Sequence, residues 1–476
     1  MKAFWAIVRL TNRNALRSHI FQLLLALLLI AVIVIPTTIS GDGTAMGFIQ
    51  IALQYSLAAI MFVLALSSVW LSCFAMTQDV ETYQLHMVVS KPVSRVTLWL
   101  AKATGVFLLH LVLLILATTV VYFAVLWRYN QQDFSEQERQ RIENEVLVGR
   151  RAFYPEPPDL DRYVTEIIRR EKEKAEKAGQ TFDESPLALE QLRQSIRRQL
   201  MDQYGEAPYQ KLKVWEYRNL PTDLKMPVFL RYRAYVAKVD TKDQRFTLGQ
   251  WIVGVPQLMP EGEKENVFAA DQPEAKTQFL MQPMTSRPEQ IRSGEFHELA
   301  LTPDLISPEG TLRIAYVNHD PEGETQFFQT QDGPRLLLPV TSFTENYFRS
   351  VLVGVLQLLV LIGLSCAAAG QLSMPMAIFF VASYLLFGMF AQVMAATDYF
   401  SGAADYIGYI VGIVLMWFII PMQEFQVTHL VSGGELVEFS YIGKLFLAYF
   451  VIRALPLILL GIWLYWRREM GLVIRK

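Results

Sequence analysis

The chain has 476 residues, 52% of them hydrophobic and 18% charged, with a formal net charge of −2 and a mean hydropathy of +0.26. It is too apolar for an ordinary soluble domain or a disordered chain, and its near-neutral charge gives no basis for a nucleic-acid partner. Cys73 and Cys366 both lie in apolar runs, where they read as small buried hydrophobes rather than a disulfide or metal pair.

The N-terminal stretch MKAFWAIVRLTNRNALRSH mixes Phe4, Trp5, Ile7, Val8 and Leu16 with Arg9, Arg13 and Arg17, which suits a helix lying in a headgroup layer. Seven apolar runs then approach the roughly 20 residues a helix needs to cross a bilayer core. They are Ile20–Thr38, Phe48–Met76, Leu98–Trp127, Tyr347–Ala369, Met376–Ala395, Ala404–Pro421 and Tyr441–Trp466. The first is long and is not followed by a small-residue cleavage site, so it reads as a span rather than a removable signal.

Lys and Arg near span ends set orientation. Lys2 to Arg17, the group Lys91, Arg95 and Lys102, and the terminal Arg467, Arg468, Arg475 and Lys476 all fall to the cytoplasmic side. The connections SGDGTAMG and TDYFSGAAD carry Asp42, Asp398 and Asp405 but no Lys or Arg. Termini on one side require an even number of crossings, so one apolar run does not cross. We take it to be 404–421, re-entering from outside, which keeps Asp398, Asp405, Glu424, Glu435 and Glu438 on the outer side. Backbone of that kind is tolerated only when packed in protein or lining a cavity.

Three crossings place the polar, net acidic middle, 128–345, outside the cytoplasm. Its first part, 134–205, reads as helical, with apolar residues at helical spacing in Glu136–Leu147, Leu160–Lys177 and Leu187–Tyr204. From 207 to 342 the period changes to two in FLRYRAYV, FTLGQWIVG, FHELAL, TLRIAYVN, TQFFQT and RLLLPV. Turn signals such as SPEG and DPEG separate them, which predicts an antiparallel β-sandwich. Trp215, Tyr232, Tyr235 and Trp251 read as its core rather than as a ligand platform. The expected architecture is thus an α-helical polytopic membrane protein of six spans plus a re-entrant segment, carrying an α+β extracytoplasmic domain. Its parts are 1–127 with spans one to three, 128–345 outside, and 346–476 with spans four to six.

Neither a phosphate-cradling G-x-x-x-x-G-K-[ST] nor H-E-x-x-H, G-x-S-x-G or a paired metal-ligand spacing occurs, so no motif points to an enzyme, a metal or a cofactor held by this chain. Two ionisable residues fall well inside spans, away from the ends of their apolar runs. His110 reads as a neutral residue hydrogen-bonded to a neighbouring helix. Arg453, just before Pro456, needs a partner, because a charge at that depth costs roughly 2.5–3.5 kcal/mol even on a lenient insertion scale. The candidates are Asp405, Glu424 or carbonyls freed by Pro456; the alternative is a snorkelling Arg on a shifted span.

The link TQDVETYQLHMVVSKPVSRVTLWLAK, spanning 77–98 and into the third span, is amphipathic and of mixed charge. Val80, Tyr83, Leu85 and Met87 alternate with Asp79, Glu81 and His86, and SKPVSR turns the chain back at Pro92. This arrangement resembles the ABC-2-type permeases of ABC transporters. The resemblance extends to RLTNRNALRSHIFQLLL, to ISGDGTAMGFIQIALQYSL and to the terminal IIPMQEFQVTHLVSGGELVEFSYIGKLFLAYFVIRALPLILLGIWLYWRREMG, which looks like the group related to copper-enzyme maturation permeases. It covers about 1–127 and 346–476; the large outer insertion departs from the minimal pattern and leaves the cargo open.

The resemblance implies a bacterial inner membrane with both termini cytoplasmic, a separate ATPase subunit dimer that binds the ATP, and a second permease chain. It makes 77–98 the coupling stretch, with a docked helix at Gln78–Val89. Asp79, Glu81, Tyr83, His86, Lys91, Pro92 and Arg95 would be its ATPase contacts. Membrane lipid and a possible extracytoplasmic partner complete the surroundings. Two other readings stand beside it. One is an ATP-independent membrane-anchored receptor or scaffold whose sandwich binds a partner. The other is a secondary transporter, which would show repeated halves.

Overall fold

The computed structural model describes residues 2–38, 45–81, 93–156, 160–177, 182, 185–222, 227–236, 246–254, 284–329, 333–395 and 403–468. The chain divides into two compact units. One comprises Met1–Gly149, Thr341–Thr397 and Ile407–Lys476, the other Arg150–Val340 and Asp398–Tyr406.

The first unit is helical. Helices α1 (Lys2–Arg17) and α2 (His19–Thr38) meet at Ser18, and the bend there, measured between Lys2–Arg17 and His19–Ile35, is 75°. α3 (Ala45–Glu81) and α4 (Arg95–Gln131) have 37 residues each, about 55 Å of helix. A short α5 (Glu136–Glu145) begins at a capping box in which Ser135 and Glu138 satisfy each other's backbone N–H. After the second unit come α8 (Phe343–Ala369), α9 (Met374–Ala395), α10 (Ala403–Phe418), a one-turn α11 (Thr428–Ser432) and α12 (Phe439–Arg467). Among the described residues five helices are long and apolar enough to cross a membrane, or up to seven spans if each of two bent pairs counts as one.

Close approach of these helices depends on small residues, as expected where lipid supplies no hydrophobic drive between apolar faces. A Cβ at Gly461 would sit 2.4 Å from that of Ala367, and one at Gly363 2.4 Å from Ile458 Cδ1, so α12 lies directly against α8. At Gly105 a Cβ would come within 3.1 Å of Thr11, which brings α1 onto α4. α3 and α8 form the buried centre, with Leu53, Ile60, Leu64, Val353, Leu358 and Val360 all nearly inaccessible.

The second unit is α and β. Strand β1 (Val148–Phe153) leads to a helical pair, α6 (Leu160–Lys177) and α7 (Pro186–Gly205). Their apolar seam is Val164, Ile196 and Leu200. The strands then form antiparallel sheets. One has the order β1–β12–β4–β9, where β4 is Val228–Arg233, β9 Phe296–Leu301 and β12 Arg335–Ser342. A second has β3 (Leu212–Tyr217), β10 (Leu312–Asn318), β6 (Phe246–Val253) and β7 (Met284–Thr285) in that order, with β8 (Glu289–Arg292) also on β6. A small third joins β2 (Glu206–Ala207), β11 (Gln326–Phe327) and β5 (Tyr235–Val236).

One apolar cluster draws on all three sheets. At its centre Trp251 has ring centroids 4.8 Å from Tyr232, 4.7 Å from Tyr316 and 5.7 Å from Trp215. Tyr235, by contrast, is half-buried under the guanidinium of Arg233. Across β3 and β10 Arg313 faces Glu216 directly and donates twice to its Oε2, at 2.7 and 2.9 Å. Burial pushes the Glu216 carboxyl up, but hydrogen bonds and charge from Arg218 and Arg313 outweigh it and hold it below the usual range.

β1 is a correction to the helical reading of 134–205. Its sequence, VGRRAF, has neither a plain alternation nor many β-branched residues, and its fit is tertiary. Arg150 is fully buried and binds Glu298 of β9 through two hydrogen bonds of 2.6 and 3.1 Å. β3 was also absent from the predicted strands, and α3 runs five residues past the predicted end of its apolar run.

Candidate functional site

The polar chemistry of the helical unit gathers at a break after α10. Its 16 residues make about 24 Å of helix, short of a roughly 30 Å core. The chain bends by 54° between Ile407–Phe418 and Met422–Ser432. Pro421 lacks an N–H, so the helix cannot continue, and its last carbonyls lose their partners.

Side chains from two other helices meet these orphaned groups. The Tyr384 hydroxyl on α9 donates to Phe418 O at 3.1 Å and accepts from Ile420 N at 3.0 Å. Arg453 Nη1 on α12 donates to Ile419 O at 3.0 Å. One turn beyond Tyr384, Gly388 makes room: a Cβ there would stand 2.9 Å from Ile419 Cγ2. Ile419 and Ile420 are 7% and 0% exposed, so the satisfied break is inside the protein.

Within the helical unit Arg453 does not pair with Glu424, and the carbonyl it binds lies at the break before Pro421 rather than beside Pro456. Its guanidinium also lies 5.0 Å from the Tyr449 ring centre. Among the described residues of the helical unit no carboxylate comes within 4.0 Å of it. Glu424 instead accepts from Tyr441 OH, at 2.7 Å through its carbonyl and 3.3 Å through Oε2. The stretch Leu445–Ala454 is wound as a π-helix, the wide turn frequent at functional sites.

Beyond the break the chain forms a buried loop, Val431 to Val437. Asn346 in the first turn of α8 donates to Glu435 O at 2.8 Å, and its Oδ1 accepts from Val437 N at 2.8 Å. Arg349, one turn on, donates to Val437 O at 3.3 Å and covers the Phe439 ring at 4.1 Å. Gly434, at φ +66°, presses against the end of α5.

At the opposite end of these helices the predicted link is only partly visible. Gln78 to Glu81 form the last turn of α3, which carries Asp79 and Glu81. Tyr83, His86, Lys91 and Pro92 lie outside the described residues. Arg95 opens α4, next to the Ser94 cap, and donates to Trp466 O at 3.1 Å and Arg468 O at 2.6 Å, the last carbonyls of α12. Arg468 in turn donates to Gly370 O at 2.7 Å, the C-cap of α8. Two turns into α4 the Lys102 ammonium is buried and donates to Ala75 O of α3 at 2.6 Å. A cavity of about 30 Å³ lies beside it, between α1, α3 and α4.

His110 is fully buried, with Nδ1 2.9 Å from Val106 O and Nε2 3.2 Å from Ser67 Oγ of α3. A carbonyl can only accept, so Nδ1 carries the proton and Nε2 receives the Ser67 hydroxyl. Among the described residues no group of three or more His, Cys, Asp or Glu is placed to hold a metal ion. Tyr384 and Asn346 were not singled out from the sequence, and Lys102 was read only as a charge setting orientation. Only a Tyr inside an apolar run, followed in the next run by Pro421, hinted at the first.

Comparison with known proteins finds no matching family model, curated protein or solved structure.

Proposed function

We propose that this chain is the membrane-embedded permease subunit of an ABC transporter, moving or working on an unidentified cargo with energy from a separate ATPase subunit dimer. In this reading the spans are His19–Ile35, Met46–Gln78, Arg95–Gln131, Phe343–Ala369, Met374–Met394 and Phe439–Arg467. The second unit, with its β-sandwich, lies outside, a second permease chain completes the pore, and both termini face the cytoplasm of a bacterial inner membrane.

Residues 407–432 enter from the outer side and return to it. Two contacts support this. Ile419 meets Arg453 midway along the last span, while the returning loop meets Asn346 at the outer first turn of α8. α1, set at 75° to α2, then lies along the inner surface.

The observation that carries the reading is the knot at the inner end. Arg95 begins the helix that leaves the link, and its guanidinium holds the end of α12, whose Arg468 holds the end of α8. A displacement of the link thus reaches three spans at once. Arg95 acts here as a strut between helices, and with Asp79, Glu81, Tyr83, His86, Lys91 and Pro92 it would form the ATPase contacts.

Reversing charge at Asp79 and Glu81 to Lys tests this. In reconstituted complexes the double variant should insert normally but lose stimulated ATP hydrolysis by about tenfold or more, the equivalent of one 1.4 kcal/mol contact. Unchanged stimulation would remove the link from the mechanism.

A further inference from the structure

We infer that Arg453 is a binding site for the oxyanion of a membrane-embedded amphiphile, a carboxylate or phosphate carried on an apolar tail. The inference rests on reading Phe439–Arg467 as a membrane crossing and deepens the proposed function by giving its cargo a chemical class. Arg453 sits midway along that helix, about 21 Å from either end. The core edge is then about 15 Å away on both sides, too far for the side chain to carry its charge to water.

A guanidinium offers five N–H donors. One is spent on the Ile419 carbonyl, and the Tyr449 ring covers part of the cation. No carboxylate among the described residues of the helical unit comes within 4.0 Å to supply a counter-charge, and Arg453 is half-buried rather than enclosed, so a ligand can reach it. A planar fork of this kind binds a carboxylate or phosphate through two parallel hydrogen bonds.

The surroundings suit an apolar tail. Trp417 and Phe418 on α10 are 75% and 68% exposed, and Ile452 beside Arg453 is 62% exposed. The Ile419 carbonyl and the Tyr384 hydroxyl fix the break against which the head group would rest. This couples occupancy to the shape of the re-entrant segment.

The test uses the full chain in lipid nanodiscs and photoreactive diazirine probes of matched tail: a palmitic acid, a phosphatidic acid and, as neutral control, a palmityl alcohol. Labelled peptides are mapped by mass spectrometry. A charge-assisted bond raises occupancy about tenfold, so one or both acids should label peptides around Tyr384, Trp417 and Tyr449 about tenfold above the alcohol. Which acid labels identifies the head group.

In Arg453→Gln the acid signal should fall to the alcohol level, and in Arg453→Lys much of it should remain. Should the Gln variant fail to fold, competition on the wild type decides: oleate should displace the acid probe and oleyl alcohol should not. Equal labelling by acids and alcohol, or oleate without effect, overturns the inference. No nucleotide or ATPase enters this readout, so its failure and the failure of the transporter reading are separately visible.

Discussion

Replacing Asn346 with Leu should destabilise the helical unit by about 4 kcal/mol. The residue is fully buried, and its amide completes both sides of a backbone pairing, giving a hydrogen to Glu435 O and taking one from Val437 N, each at 2.8 Å. Leu fills a similar volume but makes neither bond, and each bond so lost to a buried backbone group costs about 1–3 kcal/mol. Asn346→Asp keeps the acceptor for Val437 N and loses the donor, so it should fall between wild type and Leu at neutral pH. Thermal unfolding in detergent, followed by the reactivity of buried Cys73 and Cys366, reads the difference. An Asn346→Leu midpoint equal to wild type would mean that the loop is not held from α8.

Gly434→Ala should be comparably damaging, by about 2–5 kcal/mol, for a steric reason. At φ +66° an L side chain already pays about 1–2 kcal/mol. The new Cβ would stand 2.1 Å from Glu145 O and 2.9 Å from its carbonyl carbon, and these are backbone atoms that no rotamer change can move away. The loop or the end of α5 must shift, at a cost typical of overpacked cores. Gly443→Ala is the matched control. Nothing lies within 4 Å of its added carbon, and within a helix Ala is favoured over Gly by about 1 kcal/mol. The same thermal assay on both variants should show a large loss and a small gain.

These two positions also show what a linear reading reaches. Period-two alternation located Phe246–Val253, Phe296–Leu301 and Leu312–Asn318 to within a residue, because a half-buried strand writes its facing into the chain. The apolar runs located the long helices for a similar reason: a bilayer core demands composition more than pairing. Their ends were less legible. α8 begins at Phe343, so Asn346, left outside the predicted span, is one of its inner-facing residues.

What stayed hidden was pairwise. Nothing in VGRRAF announces a strand, since Arg150 is buried only because Glu298 waits across the sheet. Arg453 was visible as a charge in an apolar run, but its carbonyl partner depends on the break at Pro421, 32 residues before it. Nothing in SGGEL, Ser432–Leu436, announces a loop held from another helix. In the fold its second glycine is a close-packing residue, and its backbone is satisfied by Asn346. Arg95, read as an ATPase contact, spends its guanidinium on the end of the last helix.

The account depends most on the stretch between α3 and α4 facing the cytoplasm and meeting a nucleotide-hydrolysing companion. Gln84→Cys tests both at once, because the two native thiols are buried and should stay silent toward a membrane-impermeant maleimide. The new thiol should be unreactive in intact cells, reactive in inside-out vesicles stripped of peripheral subunits, and protected again when the companion is bound. Labelling in intact cells, or labelling in vesicles that is the same with and without every soluble ATPase of the source cell, would contradict it.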